Sequence, residues 1–83
     1  MFHSTETIHI SSLVVHCLPQ NLKTVMKATA EIENAEVAAH DVSGKLVVLL
    51  ETKTEKEILA IIDHINTLAG VLVTSMVYHQ LDC

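Results

Sequence analysis

Two stretches of helical period, Leu22 to Ile32 and Ile58 to Leu68, each lie between runs rich in β-branched residues. That order constrains the chain more than any motif in it does. Ile8 to Cys17, "IHISSLVVHC", reads as a first strand. Leu18-Pro19 closes it, because proline fixes its own φ and donates no backbone hydrogen bond. Leu22, Val25, Met26, Thr29 and Ile32 then recur at helical spacing, with Lys23, Lys27, Glu31 and Glu33 largely on the other side. Pro19 suits the first turn of that helix. Ala35 to Val42 is a shorter second strand, Ser43-Gly44 a hairpin turn, and Lys45 to Glu51 a third strand. Thr54 with Glu57 three residues on matches a capping box and starts a second helix. Ile58, Ile61, Ile62, Ile65 and Leu68 form its apolar stripe, and Gly70 ends it. Val71 to His79 is a fourth strand, and the tail from Gln80 to Cys83 is expected to fray.

Strand, helix, strand, strand, helix, strand is a pair of βαβ halves joined by a hairpin. Right-handed crossovers turn it into an α+β, ferredoxin-like βαββαβ sandwich. The expected sheet is four-stranded and antiparallel, in the order 4-1-3-2, with both helices on one face. The expectation is one domain over residues 1–83, with an ordered core of about 8–79. A domain of this size buries only about 60% of the surface its unfolded chain exposes, so its core is modest.

The third strand, "KLVVLLE", raises the functional question. In this fold helices cover one sheet face only, and a strand with one solvated face should alternate apolar with polar residues. Period 2 sets Leu46, Val48 and Leu50 on one side and Val47 and Leu49 on the other, so both sides are apolar. The first strand is similar, with Leu13 and Val15 against Ile8, Ile10 and Val14. The fourth offers Val71, Val73 and Val77 against Leu72, Met76 and Tyr78. The open sheet face is therefore predicted to be an apolar patch, which on a soluble domain usually marks a contact surface. Its lining is expected to be Ile10, Ser12, Val14 and His16 from the first strand, Val47 and Leu49 from the third, and Thr74, Met76 and Tyr78 from the fourth. Water on stray valines, weak self-association through the open face, and a different partner all stay open at this point.

Charge and composition exclude several classes. The net charge is −5 and the five basic residues are scattered lysines. With one Tyr, one Phe and no Trp, the chain has neither the cationic face nor the stacking platform of a nucleic-acid binder. No apolar run approaches the roughly 20 residues needed to span a bilayer, so direct membrane insertion is not expected. Nor does the first segment, "MFHSTE", have the basic start of a signal peptide. Cys17 and Cys83 stand far apart without a C-x-x-C pair; a disulfide between them stays open, but two isolated thiols suit a reducing compartment better, and a cytoplasmic location is expected.

Six histidines raise the question of a metal site. No H-x-x-x-H, H-E-x-x-H or C-x-x-C spacing assembles one, and no metal or other cofactor is expected. His16 and Cys17 are neighbours in a strand, so they point to opposite faces and form no nucleophile–base pair. Glu55 and Glu57 fall in a helix's first turn, where negative charge meets the macrodipole favourably. Glu31, Glu33 and Glu36 cluster around the end of the first helix and form an acidic rim suited to a basic segment. No constellation for catalysis appears, so an enzyme is not expected.

"SSLVV", "EVAAHDVSGKLVVLLE" and, most specifically, "GVL-x-x-S-x-VYHQ" at Gly70 to Gln80 resemble the NapD family over nearly the whole chain. These are small cytoplasmic chaperones for assembly of the periplasmic nitrate reductase. The resemblance implies a mechanism: binding the twin-arginine signal peptide of the catalytic-subunit precursor, and holding that precursor back from export until its molybdopterin cofactor is inserted. It implies no enzymatic motif. Such a ligand, basic and then apolar, suits a greasy sheet face on an acidic domain. Covering about 500 Å² of apolar area at about 25 cal/mol/Å² gives on the order of 12 kcal/mol gross. Ordering a peptide costs about 2–5 kcal/mol and lost rigid-body freedom several more. The remainder, about 3–7 kcal/mol, corresponds to millimolar to micromolar binding from burial alone. The alternative is a small-molecule-sensing regulatory βαββαβ module, which shares this element order.

Overall fold

The computed structural model describes residues 8–82, with side chains through residue 77. Strand β1 spans Ile8–Cys17, helix α1 Leu22–Ala30, β2 Ala35–Asp41, β3 Lys45–Thr52, helix α2 Glu55–Asn66 and β4 Val71–Asp82. The strands form one antiparallel sheet in the order β2-β3-β1-β4, the predicted order in reverse notation.

Local signals in the sequence account for most boundaries. Pro19 does not open α1 directly; Pro19–Asn21 make a short 3-10 turn that feeds Leu22 into the helix. Thr54, extended at φ −141° and ψ 158°, caps α2 by accepting from the Glu57 N–H at 3.2 Å. Its hydroxyl in turn donates to Glu57 Oε2 at 3.4 Å, so the two side chains of the predicted capping pair meet directly.

Two glycines set the end of the sheet. Gly44 and Gly70 have φ of 104° and 91°, in the region that favours glycine. Their carbonyls accept from the Cys17 N–H at 2.8 Å and the Leu18 N–H at 2.9 Å, so the two turns clamp the end of β1 from both sides. A Cβ on Gly44 would sit 2.0 Å from the Cys17 carbonyl oxygen.

The core lies between the helices and one sheet face. Leu13, Val15 and Cys17 of β1 and Leu46, Val48 and Leu50 of β3 are buried against Leu22, Val25, Ile58 and Ile65. Burying one such aliphatic side chain is worth roughly 1.5–3 kcal/mol. Met26, Ile32, Ile61, Ile62 and Leu68 seal the margins, half-buried. Burial pushes the Cys17 thiol pKa up, which leaves it a protonated core group.

The fourth strand differs from its expected extent. It runs on to Asp82 where the tail was expected to fray from Gln80, because Ile8, His9 and Ile10 of β1 supply partners to Asp82, Leu81 and Gln80. Cys83 lies outside the described residues.

Candidate functional site

Facing strands place residues of one sheet side opposite one another, so the register of the ladders gives the open face row by row. At the hairpin end Asp41, Lys45, His16 and Val73 lie side by side. The next row is Ala39, Val47, Val14 and Ser75, and the third is Glu36, Leu49, Ser12 and Tyr78. Glu51, Ile10 and Gln80 form a fourth row. The middle of this face is apolar, with Val14, Val47 and Ile10 half-buried and Leu49 38% exposed. Both helices pack on the opposite face, and no element among the described residues covers this one.

By register, seven of the nine lining residues expected from the sequence share the open face: Ile10, Ser12, Val14, His16, Val47, Leu49 and Tyr78. The fourth strand is different. Thr74 pairs with Val15 and Met76 with Leu13, so the register sets these two on the helix side of the sheet, where Met76 is still 42% exposed. Register shifts between Ser12 and Leu13 and between His16 and Cys17 put Val77 and Leu72 out of step. Such bulges break the period of 2 on which the expectation rested. Val73 and Ser75 take the open-face positions instead. Tyr78 returns to the open face by register, opposite Ser12, while its side chain lies outside the described residues.

Acidic groups gather at the end of the sheet away from the hairpin. Glu36, Glu51, Ile10 and Leu49 border a depression of about 340 Å³. A second of about 410 Å³ adjoins it, walled by Glu33, Glu51, Glu57, Lys53 and Ile8. Glu33 and Glu36 thus stand where an acidic rim was expected, whereas Glu31, at the C-cap of α1, lines neither hollow. Asn34 helps to shape both hollows. Its left-handed backbone, φ 70°, turns the chain from α1 into β2, and its carbonyl accepts from the Glu51 N–H at 3.0 Å. Glu51 is shared by both hollows and was missed as a site residue. Its signal was present, since period 2 puts it on the same side as Val47 and Leu49.

The opposite end of the face carries Lys45 and His16. Asp41, next to Lys45, has its carboxylate engaged by the N–H and hydroxyl of Ser43. These bonds, with a smaller contribution from Lys45, hold the Asp41 pKa below its ordinary value. Among the described residues no three of His, Cys, Asp or Glu converge as a metal-binding group, and no helix is long and apolar enough to cross a membrane.

Fold and face together define a class: a βαββαβ domain whose sheet has one face that no described element covers, apolar in the middle and acidic at one end. Comparison with known proteins makes this specific. Residues 8–83 match the family model described as NapD protein. The chain is 29% identical over 75 residues to Chaperone NapD of Haemophilus influenzae, covering 89% of this chain and 81% of the relative. It is 31% identical over 72 residues to Chaperone NapD of Escherichia coli K12, covering 86% and 83%. The solution structure of the E. coli Tat proofreading chaperone protein NapD superimposes with a TM-score of 0.82 at 29% identity, over 95% of this chain and 82% of that one. The chain belongs to the NapD protein family, and its relatives are named chaperones.

Proposed function

We propose that this chain is a signal-peptide chaperone. It binds the twin-arginine signal peptide of a periplasmic nitrate reductase catalytic-subunit precursor on its open sheet face, in the cytoplasm, and delays export until the molybdopterin cofactor is inserted. The observation that carries the reading is the split character of one continuous face. Val14, Val47, Leu49 and Ile10 offer apolar area, and Glu36 and Glu51 stand at its end. A twin-arginine signal peptide has the matching split, a basic segment followed by an apolar one. Burial of the apolar segment supplies affinity, and the carboxylates fix which way the peptide lies. The names of the relatives, chaperone and Tat proofreading chaperone, agree with this reading. It requires no catalytic group.

The test is calorimetric titration with a synthetic twin-arginine peptide. Saturable binding with one peptide per chain is expected, with affinity that falls as salt rises because carboxylate–arginine attraction is screened. Val47→Glu should weaken it at least tenfold while leaving the melting temperature within a few degrees. Silence toward the peptide, with saturable binding of a free amino acid, would replace this reading by the small-molecule-sensing one.

A further inference from the structure

The open face has a second feature that the peptide reading does not use. Along β3 it presents Lys45, Val47, Leu49 and Glu51 in line, a sequence antisymmetric in charge about Val48. A two-fold axis lying across the strands above Val48 would set Lys45 of one copy over Glu51 of the other, twice, and Val47 over Leu49. We propose that in the absence of a client two copies of this chain stack their open faces about such an axis, so that the unliganded protein covers its own binding surface.

Geometry and charge favour a second copy over other occupants. Packed sheets sit about 10 Å apart, close enough for the side chains of the two inner faces to interdigitate. The antiparallel stack brings the Lys45 and His16 end of each copy to the Glu36 and Glu51 end of the other. A parallel stack would set like on like. Asp41, the carboxylate at the Lys45 end, is already engaged by Ser43. The chain as a whole carries −5, so two copies repel except where charges of opposite sign are matched. The contact is isologous, as a two-fold dimer requires. It occupies the same face as the proposed client, so the two compete; in that respect alone the inference rests on the functional reading.

Sedimentation equilibrium from about 1 µM to 1 mM tests the stack. The apparent mass should rise from 9.1 kDa toward twice that value. Lys45→Glu and Glu51→Lys should each weaken association at least tenfold, and the double swap K45E/E51K should restore it to within about threefold. Glu51→Lys is decisive, because it changes the net charge from −5 to −3 and general repulsion alone would then predict tighter association. Both residues are exposed, and matching melting curves confirm that each variant folds. A wild-type chain that stays monomeric at 1 mM overturns the inference, as does a double swap as weak as the single ones. So does association that survives Val47→Glu but is lost in L72K/V77K, which would assign it to the β4 edge. Adding the synthetic twin-arginine peptide separates the two readings. If the peptide does not bind but the charge-swap pattern holds, the stack stands and the client reading falls. If the peptide binds a chain that never dimerises, the reverse is true.

Discussion

Val14 and Val15 are neighbours in β1, identical in chemistry, and opposite in role. Val15 is fully buried beneath the helices, in the same layer as Leu13, Leu46 and Val48. Val14 faces the bare side, paired with Val47 and Ser75, and keeps part of its surface in water. The covered face needs its apolar residues in order to fold. The open face retains them although an ordinary solvated face would be polar. The proposed binding surface rests on that difference, because apolar area that does not serve the core is available to another chain.

The largest effect should separate these two valines. Val15→Asp places an uncompensated charge in the core and should abolish folding, seen as loss of a cooperative thermal transition. Val14→Asp should fold with a near-normal transition and lose at least tenfold in affinity for the peptide. Equal damage to folding from both would erase the distinction between the faces.

A milder pair lies on β3. Leu46→Ala should cost about 2–5 kcal/mol in urea unfolding through the cavity it leaves. Leu49→Ala, on a side chain that is 38% exposed, should cost well under half as much and act mainly on binding.

Electrostatics sharpen the comparison within the open face itself. Glu51→Gln should weaken peptide binding about three- to tenfold and flatten its salt dependence, whereas Glu31→Gln, at a residue that lines neither hollow, should change neither.

On the covered face, Thr29 has a buried hydroxyl without a hydrogen-bond partner. Thr29→Val should therefore leave stability unchanged or raise it by up to about 1 kcal/mol in urea unfolding.

The smallest effect belongs to the hairpin. The Asp41 pKa is lowered in the folded state, so its contribution is present above the unfolded value near 3.8 and is lost as pH falls through the folded value. Ser43→Ala removes the largest cause, the hydroxyl bond, and keeps the backbone N–H bond and the Lys45 charge. Acid titration of the variant followed by circular dichroism should show unfolding at slightly higher pH.

How much of this was legible beforehand follows from which features leave a mark on residue type. The order of elements did, because the period changes at Pro19 and Thr54 and because Gly44 and Gly70 occupy conformations that other residues rarely adopt. The side each residue takes on β1 and β3 was legible too, since the period of 2 runs unbroken through the pairing of these two strands. On β4 it was not. From Val71 to Val77 five of seven residues are apolar and the two polar ones, Thr74 and Ser75, are adjacent, so a bulge that reverses the parity leaves no mark in the pattern. Thr74 and Met76 were misassigned for that reason. The acidic hollows were half legible: Glu33 and Glu36 are adjacent in sequence to the end of α1, while Glu51 joins them only once β3 lies beside β1. Its partner in the second hollow, Glu57, was legible as a helix cap, and the same side chain does both.

The most direct measurement is a methyl-resolved NMR titration of this chain with the twin-arginine peptide. Resonances of Val14, Val47 and Leu49 should move together and saturate at one equivalent, while those of Val15, Val48 and Leu46 stay in place. Shifts confined to the buried set, or to Leu72 and Val77 on the outer strand, would contradict the claim that the bare face of the sheet is the binding surface.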